Sequence, residues 1–373
     1  MGVREQLQGF QDVVDNRYQV IKESQKPGQK VIGWMCSYVP EEIIYAAGLY
    51  PVRVWGGKTT SLADAYMHIN MCSLVRSTYD EALQGNYDFL DGFVSLNTCD
   101  NIRRLYDIWA YYKKTPYYHI LPLPHKVNQA SIEYFRDELE RFKESLERGF
   151  GAKVTPTALW RAIELYNHSR SLLRQIDTLR KQPNPPLTGA QFLAVVLAGT
   201  ILPREKYNAR LEKLLAALPQ EKANRDGAVR LLLVGSELDD PEFVRLIEDT
   251  GGLVVADDLC TGSKSFWNQV EKNGDAFYAL AHRYLTRPDC PRMRPSDRRV
   301  EHIKELIKDY NAQGVILEII QFCKLHQEGS LPVRQTLKEL GVPVLALTRE
   351  YQLTGAGATK TRVEAFLDTI RGI

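Results

Sequence analysis

Six cysteines are the residues of this chain most able to do redox or metal chemistry: Cys36, Cys72, Cys99, Cys260, Cys290 and Cys323. A thiolate is both a nucleophile and a soft metal ligand, and thiolates from separate loops can hold an iron–sulfur cluster without any local motif. No two of them are spaced as CxxC, so neither a zinc ribbon nor a ferredoxin-type run is present. The plain alternative is a set of buried structural thiols, an ordinary use of cysteine in a chain of 373 residues. Placement along the chain bears on the choice. Cys36, Cys99, Cys260 and Cys323 each lie just past an apolar run that reads as a strand. Cys72 introduces a helix, and Cys290 sits in the proline-flanked loop RPDCPRMRP. Structural cysteines fall inside strands and helix faces as often as beyond them. Four at strand carboxyl ends point to the crevice where open α/β sheets bind their ligands.

Other side chains near these runs have chemical potential of their own. Glu318 stands in the apolar run GVILEIIQF, where a carboxylate is expensive to bury unless paired or protonated, so it is a candidate proton donor. His119 occupies a similar run, TPYYHILPL, as a second candidate or as a satisfied core histidine. Ser37 follows Cys36 and can hydrogen-bond a cluster sulfur or cap a helix. Arg76 and Arg103, with Arg104, follow Cys72 and Cys99 by about one helical turn. They can hold negative charge near a cluster or bind a ligand phosphate; otherwise they form surface ion pairs with Asp80 or Asp107. Glu41 suits the first turn of a helix.

The elements that must position these residues are readable. VIGWMCSYVPEEIIYAAGLYPVRVWGG gives a strand, a loop, a helix opened by Pro40 and closed near Gly48, and a second strand. That is a parallel crossover. Further strands fall at Phe93 to Leu96 and Pro116 to Leu121, with helices near 3–24, 74–83, 101–112 and 129–150. Residues 151–225 carry helical periodicity and little strand signal, broken at Pro183 to Pro186, which predicts a helical region of two or three helices. From Val229 the first pattern returns. LLLVGSELDDPEFVRLIEDTGGLVVADDLC mirrors the opening unit, QGVILEIIQFCKLHQ mirrors DGFVSLNTCDNIRRL, and VPVLALTRE mirrors TPYYHILPL. Three matches in order predict an α/β protein of two similar doubly wound domains, 1–150 and 226–373, with the helical region between them.

Bulk composition narrows the function. A formal charge of +2, with Lys and Arg scattered, gives no footprint for nucleic acid or a membrane surface. No run approaches a membrane span, and the amphipathic start is not a signal peptide, so a cytoplasmic protein with reduced thiols is expected.

GWMCSYVPEEIIYAAGLYPVRVWGG, MCSLVRSTYDEAL, LDGFVSLNTCDNIRRLYDIW, VVADDLCTGS, GVILEIIQFCKLH and TKTRVEAFLDTI together resemble the 2-hydroxyacyl-CoA dehydratase and benzoyl-CoA reductase superfamily over nearly the whole chain. The resemblance implies two Rossmann-like or flavodoxin-like domains with an iron–sulfur cluster between them. It implies cluster ligands at Cys72, Cys99 and Cys323, a dimer with a related subunit or a second copy, and a separate ATP-hydrolysing iron–sulfur activator. This chain has no GxxxxGK[ST] loop, in keeping with ATP being used by that partner. Three activities compete: a subunit of an ATP-dependent benzoyl-CoA reductase, favoured on the opening and middle motifs; a 2-hydroxyacyl-CoA dehydratase subunit; and a double-cubane cluster protein acting on small molecules. The last would need Cys36, Cys260 and Cys290 as further ligands of an 8Fe-9S cluster, where a 4Fe-4S cluster needs fewer. A non-enzymatic electron-transfer subunit is the alternative of a different class. The segment QLTGAGATKTRV departs from the family's usual Gly-Gln approach to its Thr-Arg helix.

Overall fold

The computed structural model describes residues 2–221 and 225–373. Two four-stranded, all-parallel sheets organise it. The N-terminal half begins with α1 (Val3–Asp15) and α2 (Arg17–Ser24), followed by β1 (Val31–Trp34), α3 (Glu41–Ala46), β2 (Tyr50–Arg53), α4 (Ser73–Leu83), β3 (Gly92–Leu96), α5 (Asp100–Ile108), β4 (Tyr117–Leu121) and α6 (Gln129–Phe150). Three helices come next: α7 (Pro156–Leu179), α8 (Gly189–Ala198) and α9 (Arg204–Ala217). The last part comprises β5 (Val229–Gly235), α10 (Pro241–Glu248), β6 (Gly252–Asp258), α11 (Ala276–Thr286), α12 (Asp297–Asp309), β7 (Gly314–Ile320), α13 (Lys324–Glu339), β8 (Val344–Arg349) and α14 (Ala356–Arg371).

The strand orders are β2-β1-β3-β4 and β6-β5-β7-β8, the same permutation twice. The internal repeat read from the sequence is therefore a repeat of topology. Both sheets are α/β crossovers whose order reverses beside the first strand, which opens a crevice at the strand carboxyl ends. Buried β-branched and aliphatic side chains line both faces of β1, β3, β5 and β7, as parallel sheets covered on two sides require. At Gly235 any Cβ would come within 2.3 Å of the Glu318 carbonyl oxygen, so glycine lets β5 approach β7 there.

Local signals set the helix ends. Thr188 and Gln191 form a capping box at the start of α8, with hydrogen bonds of 3.2 and 2.8 Å. Asn128 caps α6 at Ser131 N (2.9 Å) and Gly151, at φ +64°, ends it. Two expected helices are divided. The first breaks at Asn16, whose side chain takes the Asp12 carbonyl (2.9 Å) and competes with the helical ladder. The helix after Cys99 loosens at Trp109–Lys113 into a wider turn around the buried Trp109, whose indole donates to Thr115 Oγ1 at 2.8 Å.

The three parts interlock. The apolar helix α8, buried along its whole length, packs on α1 and α10. Helix α11, from the C-terminal part, covers α6 beside the first sheet. One apolar core contains Val52 and Phe93 from the first sheet, Val195 from α8, and Leu231 and Ile316 from the second. Among the described residues no helix is long and apolar enough to cross a membrane.

Candidate metal centre: two sets of three thiols

The strand ends bring the cysteines together. Cys36 follows β1 by two residues and Cys260 follows β6 by two; Cys99 follows β3 by three and Cys323 follows β7 by three. Cys72, Cys99 and Cys323 are the N-cap residues of α4, α5 and α13. The Cys72 and Cys323 thiols hydrogen-bond to each other, and Cys99 lies close enough to Cys323 for their charges to interact. The other three come from loops. Cys260 and Cys290 hydrogen-bond to each other, and Cys36 interacts electrostatically with Cys260. Cys36 and Cys99 also sense one another, which joins the two sets. All six thiols are free.

The two sets stabilise negative sulfur by different means. In the first, helix N-termini present their unpaired N–H groups. Ile102 N donates to Cys99 Sγ at 3.4 Å, Leu74 N approaches Cys72, and His326 N approaches Cys323. The Ser236 hydroxyl adds a contact to Cys323. Burial still dominates at Cys99 and pushes its thiol up to about 12. In the second, side-chain cations surround the thiols: Arg53, Lys264, Arg287 and Arg292, all buried. Arg287 grips the Cys36 loop, donating to the Ser37 carbonyl (2.7 Å) and hydroxyl (2.8 Å) and lying over the Tyr38 ring at 3.8 Å. Burial raises Cys36. Cys260 is held well below the usual thiol range by the hydrogen bond from Cys290, with Lys264, Arg287 and Arg53 beside it, against the opposing effect of burial. In each hydrogen-bonded pair one sulfur keeps the proton and the other, Cys260 or Cys323, is favoured as thiolate.

Backbone strain marks both loops. Cys36 has φ +78° and Phe322, just before Cys323, has φ +65°, a region that bulky residues enter only when the surroundings hold them there.

These residues fit an anionic, thiolate-ligated group. The donors are soft sulfurs of the right kind, and the Nε atoms of Arg53, Arg287 and Arg292 find no hydrogen-bond acceptor among the described residues. No three His, Cys, Asp or Glu side chains among the described residues are gathered tightly enough to hold a single metal ion. Neither set of three is closed around one point: each is a hydrogen-bonded pair with a third thiol farther off.

The remaining candidates divide. Glu318 is fully buried; Arg349 pairs with it at 2.5 Å and Ser236 N donates to it at 3.0 Å. Burial pushes its carboxyl above the usual carboxylate range against the pull of Arg349, and it lies near enough to Cys323 to affect that thiol. Ser37 is in the loop set, held by Arg287. His119 is away from the thiols: its ring packs on Phe142 of α6 at 4.8 Å, and burial lowers it to about 4. Arg76 is buried and bound to Asp64 through Nε at 2.9 Å, with further bonds to Thr60 and the Ile69 carbonyl. It pins the 60–69 segment, so its ion-pair partner is Asp64 rather than Asp80; Asp80 instead accepts from Leu62 N and Ala63 N. Arg103 is exposed on the first turn of α5, and Arg104 pairs with Asp100 at 3.7 Å, not with Asp107. Glu41 accepts from Arg204 at 3.0 Å, while its neighbour Glu42 is fully buried against Arg170 and the Tyr284 hydroxyl (2.8 Å).

Sequence reasoning missed the cations of the loop set, along with Ser236 and Glu42. Two had a visible signal: Lys264 follows Cys260 by four residues and Arg292 follows Cys290 by two, and basic neighbours favour thiolates. Arg53 and Arg287 had none.

A family model described as 2-hydroxyglutaryl-CoA dehydratase, D-component, matches residues 36–370. The chain is 24% identical to the (R)-phenyllactyl-CoA dehydratase beta subunit of Clostridium sporogenes, over 97% of each chain. It is 26% identical to the (R)-2-hydroxyglutaryl-CoA dehydratase subunit beta of Acidaminococcus fermentans, over 99% of this chain and 100% of that one. It is 29% identical to a benzoyl-CoA reductase subunit of Thauera aromatica, over 80% of this chain and 79% of that one. The match runs from Cys36, at the first strand end, into the last helix and takes in all six thiols, so the chain belongs to the 2-hydroxyglutaryl-CoA dehydratase D-component family.

Proposed function

We propose that this chain is the iron–sulfur subunit of a low-potential reductase, in which Cys72, Cys99 and Cys323 on one side and Cys36, Cys260 and Cys290 on the other are the thiolate ligands of a double-cubane (8Fe-9S) cluster. A 4Fe-4S cluster on the first three alone is the smaller alternative. One observation carries the reading: six free thiols from six separate loops fall into two sets of three, joined through Cys36 and Cys99. When bound, such a group supplies single electrons, at a potential set by hydrogen bonds to sulfur, nearby charge and solvent exposure.

The chain's own residues perform the rest. The N-termini of α4, α5 and α13, together with Arg53, Lys264, Arg287 and Arg292, stabilise negative sulfur. Glu318, held between Arg349 and Ser236 beside Cys323, is the carboxyl placed to keep a proton near that set. The absence of a phosphate-binding loop fits electron delivery by a separate ATP-hydrolysing iron–sulfur activator. The relatives are named as subunits, which supports a dimer with a related chain or a second copy. Six free thiols suit the reducing cytoplasm.

For the substrate, an acyl-CoA is supported by the relatives' names, which divide between dehydration of 2-hydroxyacyl thioesters and reduction of benzoyl-CoA. Exposed Arg103, one turn beyond Cys99, suits a CoA phosphate; Arg76 is already engaged. The double-cubane reading favours reduction over dehydration and admits smaller substrates. A small cavity that reaches Cys260 favours an enzyme acting on a small molecule over a pure electron-transfer subunit.

The test is anaerobic purification followed by iron and acid-labile sulfide analysis. About eight irons per chain support the double cluster, about four support a single cubane, and none overturns the reading. ATP-dependent turnover of benzoyl-CoA against a 2-hydroxyacyl-CoA then selects the reaction.

A further inference from the structure

Cys260 also lines a cavity of about 60 Å³ enclosed by α3, α7, α9 and α11. Its walls carry four arginines: Arg53, Arg170, Arg204 and Arg283. Each is buried. Three of the four have a carboxylate in an ion pair. Arg53 pairs with Glu237, Arg170 with Glu42 and Arg204 with Glu41. Arg283 pairs with no carboxylate among the described residues; it donates only to backbone carbonyls, Asn268 O at 3.0 Å and Ser265 O at 2.5 Å. Asp239 is a fourth carboxylate, beside Arg53, so the charges sum close to zero; the carboxylate that Arg283 senses, however, is Glu42 alone, which is already paired with Arg170.

A buried cation with no ion pair of its own is costly, and guanidinium does not escape by losing its proton. Burial and the neighbouring Arg170 and Arg287 pull Arg283 down to about 9, a sign of that strain, and leave it charged at neutral pH. Three buried N–H donors on the cavity walls lack acceptors among the described residues: Trp34 Nε1, Arg53 Nε and Arg204 Nε. Buried donors are normally satisfied. A guanidinium without an ion pair of its own and three unsatisfied donors, with no free acceptor facing them among the described residues, suit an acceptor that is itself negative.

We propose that this cavity binds a small anion, a carboxylate or similar oxyanion of a few heavy atoms, held by Arg204 and Arg283 beside Cys260. Its volume corresponds to roughly four to six water positions. That is far below the several hundred Å³ of a pocket for a large organic ligand, so a CoA thioester is excluded from it. The site is built from the chain's own side chains and exists with or without iron.

Isothermal titration of formate, acetate and nitrate into the anaerobically purified protein tests the site, with iron measured on the same sample. Saturable binding of at least one of them at one site per chain is expected. Arg283→Gln, which keeps a donor and removes the charge, weakens it about tenfold or more; Arg283→Lys holds it within a few-fold; Val196→Phe, which fills the cavity from α8, abolishes it. Because Arg283 also ties down two carbonyls, circular dichroism checks each variant's fold, and Val196→Phe stands as the independent probe. No saturable binding by the parent protein up to about 10 mM, or equal binding in Arg283→Gln and Val196→Phe, overturns the proposal. Lost anion binding with iron intact sinks this inference and leaves the cluster reading standing; lost iron with anion binding intact does the reverse.

Discussion

The two thiol sets occupy the same crevice and are built by opposite strategies. Cys72, Cys99 and Cys323 stand at helix starts, where the backbone supplies the stabilising dipoles. Cys36, Cys260 and Cys290 stand on loops, where single backbone N–H groups of Tyr38 and Arg292 reach Cys36 and Cys290 and four buried cations do the rest. A helix start is local: three or four consecutive residues make it, whatever lies elsewhere. A ring of cations is not local. Arg287 reaches Ser37 across 250 positions of sequence. The helix-start set is therefore intrinsically robust, and the loop set depends on the assembled tertiary structure.

The sharpest way to break this contrast is to remove one thiol from each set. Cys323→Ala is expected to lose essentially all bound iron, and Cys290→Ala to retain about half, as a single cubane on the helix-start set. Iron analysis of the two anaerobic preparations checks this; equal loss from both would mean the sets act as one unit.

Next in size is the support behind the Cys36 loop. Glu42 is fully buried with Arg170, so Glu42→Ala strands a buried guanidinium, at about 3–5 kcal/mol. Denaturant unfolding measures it, and the parallel iron count should fall toward the single-cubane value. Stability that holds within about 0.5 kcal/mol would show that the loop set does not lean on α3.

Acid is a milder probe of the same side. His302 packs on Trp267 at 4.5 Å, near Asp258 and Lys264, and burial lowers it to about 4. Its folded value lies below the unfolded one of about 6.5, so the unfolded chain binds the extra proton between those values. Stability is complete above about pH 6.5 and declines as pH falls toward 4, by up to about 3 kcal/mol from this group. His302→Gln should flatten that decline; an unchanged pH profile would remove His302 from the account.

The smallest effect belongs to the helix-start side. Arg103→Ala, at an exposed position behind Cys99, should leave stability unchanged within about 0.5 kcal/mol while weakening CoA binding and its salt dependence. CoA affinity that does not move would release Arg103 from any role with phosphate.

The contrast also explains what the sequence disclosed. Strand ends, the duplicated order of elements and the position of Cys72, Cys99 and Cys323 follow from short-range patterns, and those patterns were legible. The division of residues 3–24 at Asn16 was not, because one side-chain hydrogen bond decides it. The partner of Arg76 was misread for a similar reason. Helical spacing suggests Asp80, but a returning loop delivers Asp64 instead. Of the cations around the loop set, Arg53 and Arg287 come from segments far from Cys260 in sequence, and no local rule brings them there. His119 reads like Glu318 in one dimension, each being a polar residue in an apolar strand. The sheet register sends one to the face under α6 and the other toward Ser236 and Cys323.

The interlocking of α1 with α8, and of α6 with α11, sets a chronology for the protein's birth on the ribosome. The first half emerges with Cys36, Cys72 and Cys99 exposed, yet the helices that cover it have not been made. Cys323 follows Cys99 by 224 residues. Domains made early normally settle before later ones arrive. Here the earlier thiols meet Cys323 only once both sheets exist, so a group that used both sets would be taken up after the second sheet has formed.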